Sequence, residues 1–224
     1  HLRAEIADHL LRLAHVGAND LDDVMRMVKA EPAVLQERMS KNESGRLPLH
    51  FAVMMNRAEA VSILLGFGAN PAATDDGGMD AMGYAAFPHV QPVTILALTR
   101  GRVDTLYSAL AARNEEAARR VIEADPNALN GGALAFHAKR GDVDAVRWML
   151  AHGADPNARW SHWGANVTAM HLAAMGGYTE IVRILLDAGG DPAIRDDVHD
   201  GDVAGWAEHH HHLEIVALIR ERLV

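Results

Sequence analysis

The sequence of 224 residues contains no cysteine and few aromatic residues, which make up 5% of it. Without cysteine there are no disulfide bonds and no cysteine-based zinc or thiol chemistry, so we expect a reducing compartment, the cytoplasm. Apolar runs such as VTILAL, Val93 to Leu98, fall far short of the roughly 20 residues that cross a bilayer. A formal net charge of −9 and the lack of a face rich in lysine and arginine argue against nucleic acid as a partner.

Signatures of common enzyme classes and of secretion are missing as well. The sequence has no GxSxG, no HExxH and no glycine-rich phosphate loop after a strand, so we predict no catalytic residues and no cofactor. It begins at His1, and the residues from Leu2 onward have the pattern of an amphipathic helix instead of the apolar core of a signal peptide. We therefore expect a trimmed piece of a longer protein.

One sequence pattern recurs along the chain, and its last two copies are about 34 residues apart. The copies can be aligned on one apolar position, which is Leu49 in the LPLHFAV segment. Equivalent positions follow at separations of 33, 24, 28, 36 and 34 residues, at Met82, Leu106, Leu134, Met170 and Ala204. Ten residues after five of these six positions stands an acid, and Pro92 stands after the other one. Both residue types favour the first turn of a helix, so each unit is predicted to contain a second helix that begins there.

The residues of the best-preserved unit resemble the ankyrin repeat. Its first block TAMHLAA at Thr168–Ala174, its turn residue Gly177 and its closing GGDP at Gly189–Pro192 follow the family pattern, and similar matches cover residues 45–73 and 141–158. The resemblance implies an all-α repeat solenoid, an ankyrin-like stack of helix-turn-helix units with short β-hairpin fingers. It also implies that His50 and His171 are buried braces of the turn and not catalytic groups.

The repeat boundaries predict a single domain over residues 1–224. Residues 1–40 are predicted to be a degenerate N-terminal capping unit and residues 200–224 a C-terminal one. Five repeats lie between them, at residues 45–78, 79–103, 104–131, 132–165 and 166–199. The units near residues 79–127 have shortened or missing fingers. Capped, acidic termini favour a monomer.

One finger is longer than the family pattern and carries large side chains. Residues 157–167, NARWSHWGANV, place Trp160, His162 and Trp163 within four positions. Tryptophan supplies much contact area and is enriched at binding hot spots, so one interpretation is a docking point for a partner. The alternative is that the indoles cover the neighbouring finger and close a gap in the stack.

Acids and histidines crowd the next finger and the last turn. They are Asp196, Asp197, His199, Asp200 and Asp202 in the finger and His209 to His212 in the turn. A cation held by His199 and Asp200, or by His209 and His212, is one interpretation. Aspartates that organise turns and solvated histidines are the favoured one, so no metal site is predicted. Because His211 replaces the glycine of the family pattern, we expect it to have a positive φ.

The remaining candidate is the groove that ankyrin proteins form from their first helices and finger tips. The resemblance predicts a protein-protein interaction module with apolar contacts at both ends of the groove and a basic centre, which suits an unidentified partner protein with an acidic extended segment. The predicted partner-binding residues are Met54, Met55, Phe87, Arg113, Lys139, Arg140, Trp160, His162, Trp163, Met175, His209 and His210. A rival hypothesis is an enzyme or a small-ligand or metal-binding protein that uses Trp160, His162, His199 and Asp200. A third is a spacer within a longer polypeptide.

Overall fold

The computed structural model describes residues 19–38, 44–102, 104–162 and 164–222. They form two compact units, one before and one after position 103. Residues 1–18, which belong to the predicted N-terminal cap, and Trp163 lie outside the described residues. No helix among the described residues is both long and apolar enough to cross a membrane.

The first unit is built from short helices that pack in pairs. Its elements are α1 (Asn19–Ala30), a 3-10 helix (Pro32–Gln36), α2 (Pro48–Met54), α3 (Ala58–Gly66), α4 (Ala81–Ala85) and α5 (Pro92–Leu98). Helices α2 and α3 form one pair and α4 and α5 the next, with α2 packed on α4 and α3 on α5. This arrangement is the helix-turn-helix repeat predicted from the sequence.

The second unit continues the pattern with four helix pairs and one hairpin. Its elements are α6 (Leu106–Ala111), α7 (Glu115–Ala124), a 3-10 helix (Pro126–Asn130), α8 (Ala133–Lys139), α9 (Val143–Ala151), β1 (Arg159–His162), β2 (Ala165–Thr168), α10 (Ala169–Met175), α11 (Thr179–Asp187), α12 (Val203–His209) and α13 (Leu213–Arg222). The first helices of the pairs, α6, α8, α10 and α12, pack side by side in chain order. Strands β1 and β2 are antiparallel, with Arg159 opposite Thr168.

Local sequence signals explain where these helices begin. Asp80 and Asp202 are the N-caps of α4 and α12, because each side chain accepts a backbone N–H group of the first turn. Thr168 occupies the equivalent position of α10, and its hydroxyl is paired with Nδ1 of His171 at 2.8 Å. Pro48 lies at the start of α2, where its missing N–H is not needed. The predicted acids lie in the first turns of the second helices.

In five of the six described helix pairs, all except α4 and α5, the turn between the two helices contains a left-handed residue. Gly141 and Gly177 both have a φ of 73°, and the equivalent residues Asn56, Arg113 and His211 have φ values of 56°, 56° and 63°. The positive φ predicted for His211 is therefore confirmed. Side chains at this φ are strained, because Cβ crowds the backbone there.

The core of the second unit consists of small and branched side chains from both helices of each pair. Leu172, Ile181, Leu185 and Ile215 have no exposed surface, and many buried alanines allow the helices to approach closely. The repeat with α6 and α7 is followed by the 3-10 helix at residues 126–130, as α1 is followed by the one at Pro32–Gln36, and not by a hairpin finger.

Candidate functional site

Two buried histidines connect the start of a first helix to the following finger. Nδ1 of His50 and Nδ1 of His171 each accept a backbone N–H from three residues earlier, at 3.1 and 3.2 Å. Nε2 of His50 then lies 2.9 Å from the carbonyl of Ala73, and Nε2 of His171 lies 3.3 Å from that of Gly201. A ring that accepts at Nδ1 and donates from Nε2 is neutral. Burial lowers the pKa of both histidines, which agrees with a bracing role.

An aspartate at the same position of the repeat organises two fingers. Asp75 accepts two backbone N–H groups and the hydroxyl of Tyr84 at 2.5 Å. Asp196 accepts three backbone N–H groups and Nε1 of Trp206 at 2.9 Å. Both carboxylates are buried. Each carboxylate connects the turn of its finger to an aromatic side chain of the next helix. For Asp196, this is the turn-organising role that the sequence favoured over a metal site.

The long finger, residues 159–168, lies against the first helix of its own repeat. A Cβ atom added to Gly132, at the start of α8, would come within 2.4 Å of the indole of Trp160. The ring of Trp160 stacks on that of His162, with centroids 5.7 Å apart. Glycine at position 132 therefore makes room for the indole, which is partly buried. Trp160 thus packs against the start of α8, and both interpretations of the finger stay predictions.

Two basic side chains, one at the end of α8 and one in the long finger, are buried close to each other. Lys139 and His162 are each 3% exposed. Burial lowers the pKa of Lys139 to about 7. Burial, and then the charge of Lys139, lower the pKa of His162 to about 3. Lys139, at the end of α8, was predicted to line the groove. That prediction was wrong for its side chain, which the structure buries in the interior.

Hydrogen bonds clamp the long finger to the finger that follows it. Asp197 accepts the backbone N–H of Asn166 at 2.6 Å and its side-chain amide at 2.5 Å. Arg159 donates to the carbonyl of Arg195 at 2.9 Å. These hydrogen bonds lower the pKa of Asp197. The clamp accounts for one of the clustered aspartates, and an ion pair of 2.9 Å between Arg195 and Asp200 accounts for another.

The histidine run does not form a metal centre in the part of the chain that the structure describes. His209, His210 and His211 are exposed, and Nε2 of His212 lies 3.2 Å from the carbonyl of Met175. Among the described residues no three histidine or carboxylate side chains converge closely enough to hold a metal ion. Of the rival set, Trp160 and His162 are in contact, and His199 and Asp200 lie in the exposed part of the next finger.

The predicted partner-binding residues of the second unit divide into exposed and buried ones. Because α8, α10 and α12 pack side by side, equivalent positions at their ends lie next to each other. Arg140 and Met175 are half-buried there, and His209 and His210 are exposed. We call these four residues the helix-end row. The guanidinium of Arg140 lies over the ring of Phe136, 5.5 Å from its centroid.

In the first unit, the three predicted residues are partly buried. Met54 and Met55 end α2, and Nε2 of His89 lies 2.7 Å from the carbonyl of Met54. The ring of Phe87 lies between those of Tyr84 and His89, at centroid distances of 6.1 and 6.0 Å. These contacts fix the loop between α4 and α5.

Sequence reasoning missed the role of Asp142. This carboxylate caps α9, contacts Nδ1 of the buried His137 at 3.2 Å and forms an ion pair of 2.7 Å with Arg113. Burial alone raises the pKa of Asp142, but the bonds from His137 and Arg113 lower it to about 2. The signal was present, since an aspartate follows the turn glycine Gly141.

Helix pairs joined by a left-handed turn, with a finger braced by a buried histidine, define a repeat protein of the helix-turn-helix type. The chain belongs to the ankyrin repeat family. The family model for three copies of the ankyrin repeat matches residues 105–196 and 134–221, and a second model for many copies matches residues 49–87. The predicted family and fold are thus confirmed.

Similar proteins include two much longer chains. The B-cell lymphoma 3 protein homolog of Mus musculus is 28% identical over 216 residues, which are 88% of this chain and 47% of that protein. The E3 ubiquitin-protein ligase KEG of Arabidopsis thaliana is 30% identical over 185 residues, 70% of this chain and 11% of that protein. The chain therefore spans less than half the length of these relatives. The chain was also aligned with the crystal structure of the ankyrin repeat domain of Bcl-3. The alignment covers 93% of this chain and 97% of the Bcl-3 chain, with 22% identity and a TM-score of 0.44.

Proposed function

We propose that this chain is a protein-protein interaction module and that the helix-end row of the second unit contacts the partner. The proposal rests on the chain's membership of the ankyrin repeat family. Stacked helix pairs of this kind present equivalent side chains as one extended surface. The partner is another protein. The residue types of the row supply one flexible apolar contact, one cation and two imidazoles.

Because Lys139 is buried, it does not add a positive charge to the proposed binding surface. The ammonium group lies in the interior, and Arg113 is already paired with Asp142 at 2.7 Å and Asp144 at 3.8 Å. Arg140 is then the basic residue of the row. Partial desolvation and then the neighbouring histidines lower the pKa of His210, which favours its neutral form. We therefore propose a largely neutral partner segment with one acidic group opposite Arg140.

Three other predicted properties stay proposals. We propose a cytoplasmic location, supported by the absence of cysteine, and a monomer, supported by the acidic net charge of −9. We propose that the chain is not an enzyme. His162, the base that catalysis in the long finger would need, has its pKa lowered to about 3 and its side chain 3% exposed, so it is poorly placed to act on a substrate.

Affinity capture from the source cell with three forms of the chain tests the proposal. The row variant carries Met175→Glu and His209→Glu. The control variant carries Ala188→Glu, at the exposed C-cap of α11, and Ala217→Glu, at an exposed position of α13, so that both variants gain the same charge. All three forms are first compared by circular dichroism and thermal unfolding.

We expect at least one protein that the wild type and the control variant enrich and that the row variant does not. Quantitative mass spectrometry measures that enrichment. Equal enrichment by the row and control variants would exclude the row as the contact surface. Absence of any enriched protein over an unrelated bait would exclude the binding function itself.

A further inference from the structure

The hairpin of the long finger has one strand edge without a neighbouring strand. In the part of the chain that the structure describes, β1 pairs with β2 alone. The two neighbouring repeats share the residues DPNA, at 125–128 and 155–158. Residues 129–132 then lead directly to α8, whereas residues 159–168 form β1 and β2 before α10. The preceding repeat is therefore too short at this place to put a strand beside β1.

The register of the hairpin shows which backbone groups face this edge. Ser161 is opposite Asn166, and Arg159 is opposite Thr168. The N–H of Asn166 donates to Asp197 at 2.6 Å, and the N–H of Thr168 donates to a side chain of α10 at 3.2 Å. Both residues thus point their backbone groups away from β1, and in an antiparallel pair the residues opposite them also point outward. The N–H and C=O groups of Arg159 and Ser161 therefore lie on the outer edge of β1.

These backbone groups are unused, and their residues are accessible. No hydrogen bond of the described residues joins them to a group outside the hairpin. Arg159 and Ser161 are both exposed. Such an edge is complementary to another extended backbone, because only a strand presents N–H and C=O groups at the matching spacing. A helix cannot pair with it, since its own backbone groups are used internally.

The side chains of β1 indicate what the added strand carries. Arg159 donates to the carbonyls of Asn166 at 3.0 Å and Arg195 at 2.9 Å, and it forms no ion pair with a carboxylate of the described residues. Its charge favours an acidic side chain opposite it. The partly buried indole of Trp160 lies on the other face of the strand, where a β-branched side chain of the added strand would pack beside it.

We propose that β1 binds an extended, acidic segment of a partner polypeptide as an antiparallel third strand of the hairpin. The proposal rests on the protein-binding function proposed above and adds a contact that the helix-end row does not supply. A second copy of this chain fits the edge less well than an acidic segment. Antiparallel pairing of two β1 strands would bring both Arg159 side chains to one face of a small sheet, where like charges repel.

The test is a titration of the whole chain, followed by its amide resonances in heteronuclear NMR. The probe is a capped pentapeptide, N-acetyl-Thr-Thr-Val-Glu-Thr-amide. Its second, third and fourth residues are designed to lie opposite Ser161, Trp160 and Arg159. We expect a saturable downfield shift of the Ser161 amide proton, because this N–H gains an acceptor. A shift that does not saturate up to the solubility limit of the peptide would overturn the proposal.

Modified forms of the peptide test the strand geometry and the charge. N-methylation of its second and fourth residues removes the N–H groups that face β1 and is expected to weaken binding at least about tenfold. N-methylation of the third residue alters an N–H that faces away, so the affinity should stay unchanged. Equal affinities of the two methylated forms would contradict strand pairing. Lysine in place of the glutamate should weaken binding about threefold, and equal binding of that peptide would contradict an acidic partner.

Ser161→Pro and Ser161→Ala form a matched pair of protein variants. Proline removes the outward N–H and places its ring on the edge, at a position where a strand tolerates it because the hairpin does not use that N–H. Alanine leaves the backbone intact. Followed at the indole N–H of Trp160, binding should weaken at least about tenfold in Ser161→Pro and stay unchanged in Ser161→Ala. Circular dichroism compares the folds of both variants, and equal affinities would contradict the proposed edge.

Two other outcomes separate this proposal from its alternatives. Concentration-dependent shifts of the Ser161 amide without any peptide, abolished in Ser161→Ala by no more than in the wild type but absent from Ser161→Pro, would assign the edge to a second copy and overturn the proposal. Failure of the peptide together with loss of capture by the row variant would reject the edge and keep the binding function. Peptide binding without any captured protein would keep the edge and reject the proposed function.

Discussion

Replacing Lys139 with methionine is expected to stabilise the second unit. The lysine is 3% exposed, and burial lowers its pKa from 10.5 to about 7. A fall of this size corresponds to about 5 kcal/mol that favours the neutral amine in the folded state. Since relaxation and water penetration reduce such penalties, we expect a gain of about 2 to 4 kcal/mol at pH 7 in Lys139→Met, which keeps the apolar stem and removes the charge.

The sign of the pH dependence follows from the lowered pKa. Between pH 7 and 10.5 the unfolded chain keeps the proton of Lys139 and the folded chain releases it. The free energy of unfolding of the wild type should therefore rise with pH by about 1.4 kcal/mol per pH unit in this window. Below pH 7 both states are protonated and the penalty is constant. His162 titrates in a lower window, from 6.5 down to about 3.

Urea unfolding at about pH 7, 8 and 9 measures both quantities. Tryptophan fluorescence is a suitable signal, because all four tryptophans of the chain lie in the second unit. The wild-type curve should rise across this range and the Lys139→Met curve should be flat. Lys29→Met, at an exposed position of α1, is the matched control and should leave the wild-type slope unchanged. If Lys139→Met is no more stable than the wild type and retains its slope, the reasoning about burial is refuted.

Four further changes have expected directions. His211→Gly should raise the melting temperature, because glycine removes the strain of a φ of 63° worth about 1 kcal/mol, whereas Gly177→Ala, at a φ of 73°, should lower it. Asp142→Asn should destabilise the second unit by about 2 kcal/mol in urea unfolding at pH 7. The contribution of Asp142 persists above pH 3.8 and disappears as the pH falls to about 2, so the two proteins should converge there. Trp206→Phe should cost about 1 to 2 kcal/mol, because Asp196 loses its indole donor, and an unchanged stability would show that this hydrogen bond is dispensable.

The repeat architecture was predictable because its signals are local. An aspartate at a helix N-cap, an acid in the first turn of a second helix and a residue with positive φ between the helices each depend on a few neighbouring residues. His211 therefore has the predicted positive φ, and Asp80 and Asp202 cap α4 and α12 from within four residues of sequence. The histidine brace also follows from a short motif, and His50 and His171 are both buried with the expected hydrogen bonds.

The site was less predictable because burial depends on contacts between distant residues. Lys139 occupies a position that is half-exposed in α2 and α10, at Met54 and Met175. Its buried side chain influences the charge of His162 in the long finger, and the sequence carries no direct signal of how that finger bends.

Site-specific photo-crosslinking tests the central claim that the helix-end row contacts a partner protein. A benzoylphenylalanine placed at Met175 is compared in the source cell with one placed at Ala217, an exposed position on α13. The account predicts that the probe at position 175 forms a covalent adduct with a protein that the probe at position 217 does not capture. Adducts that form equally at both positions, or at position 217 alone, would contradict it.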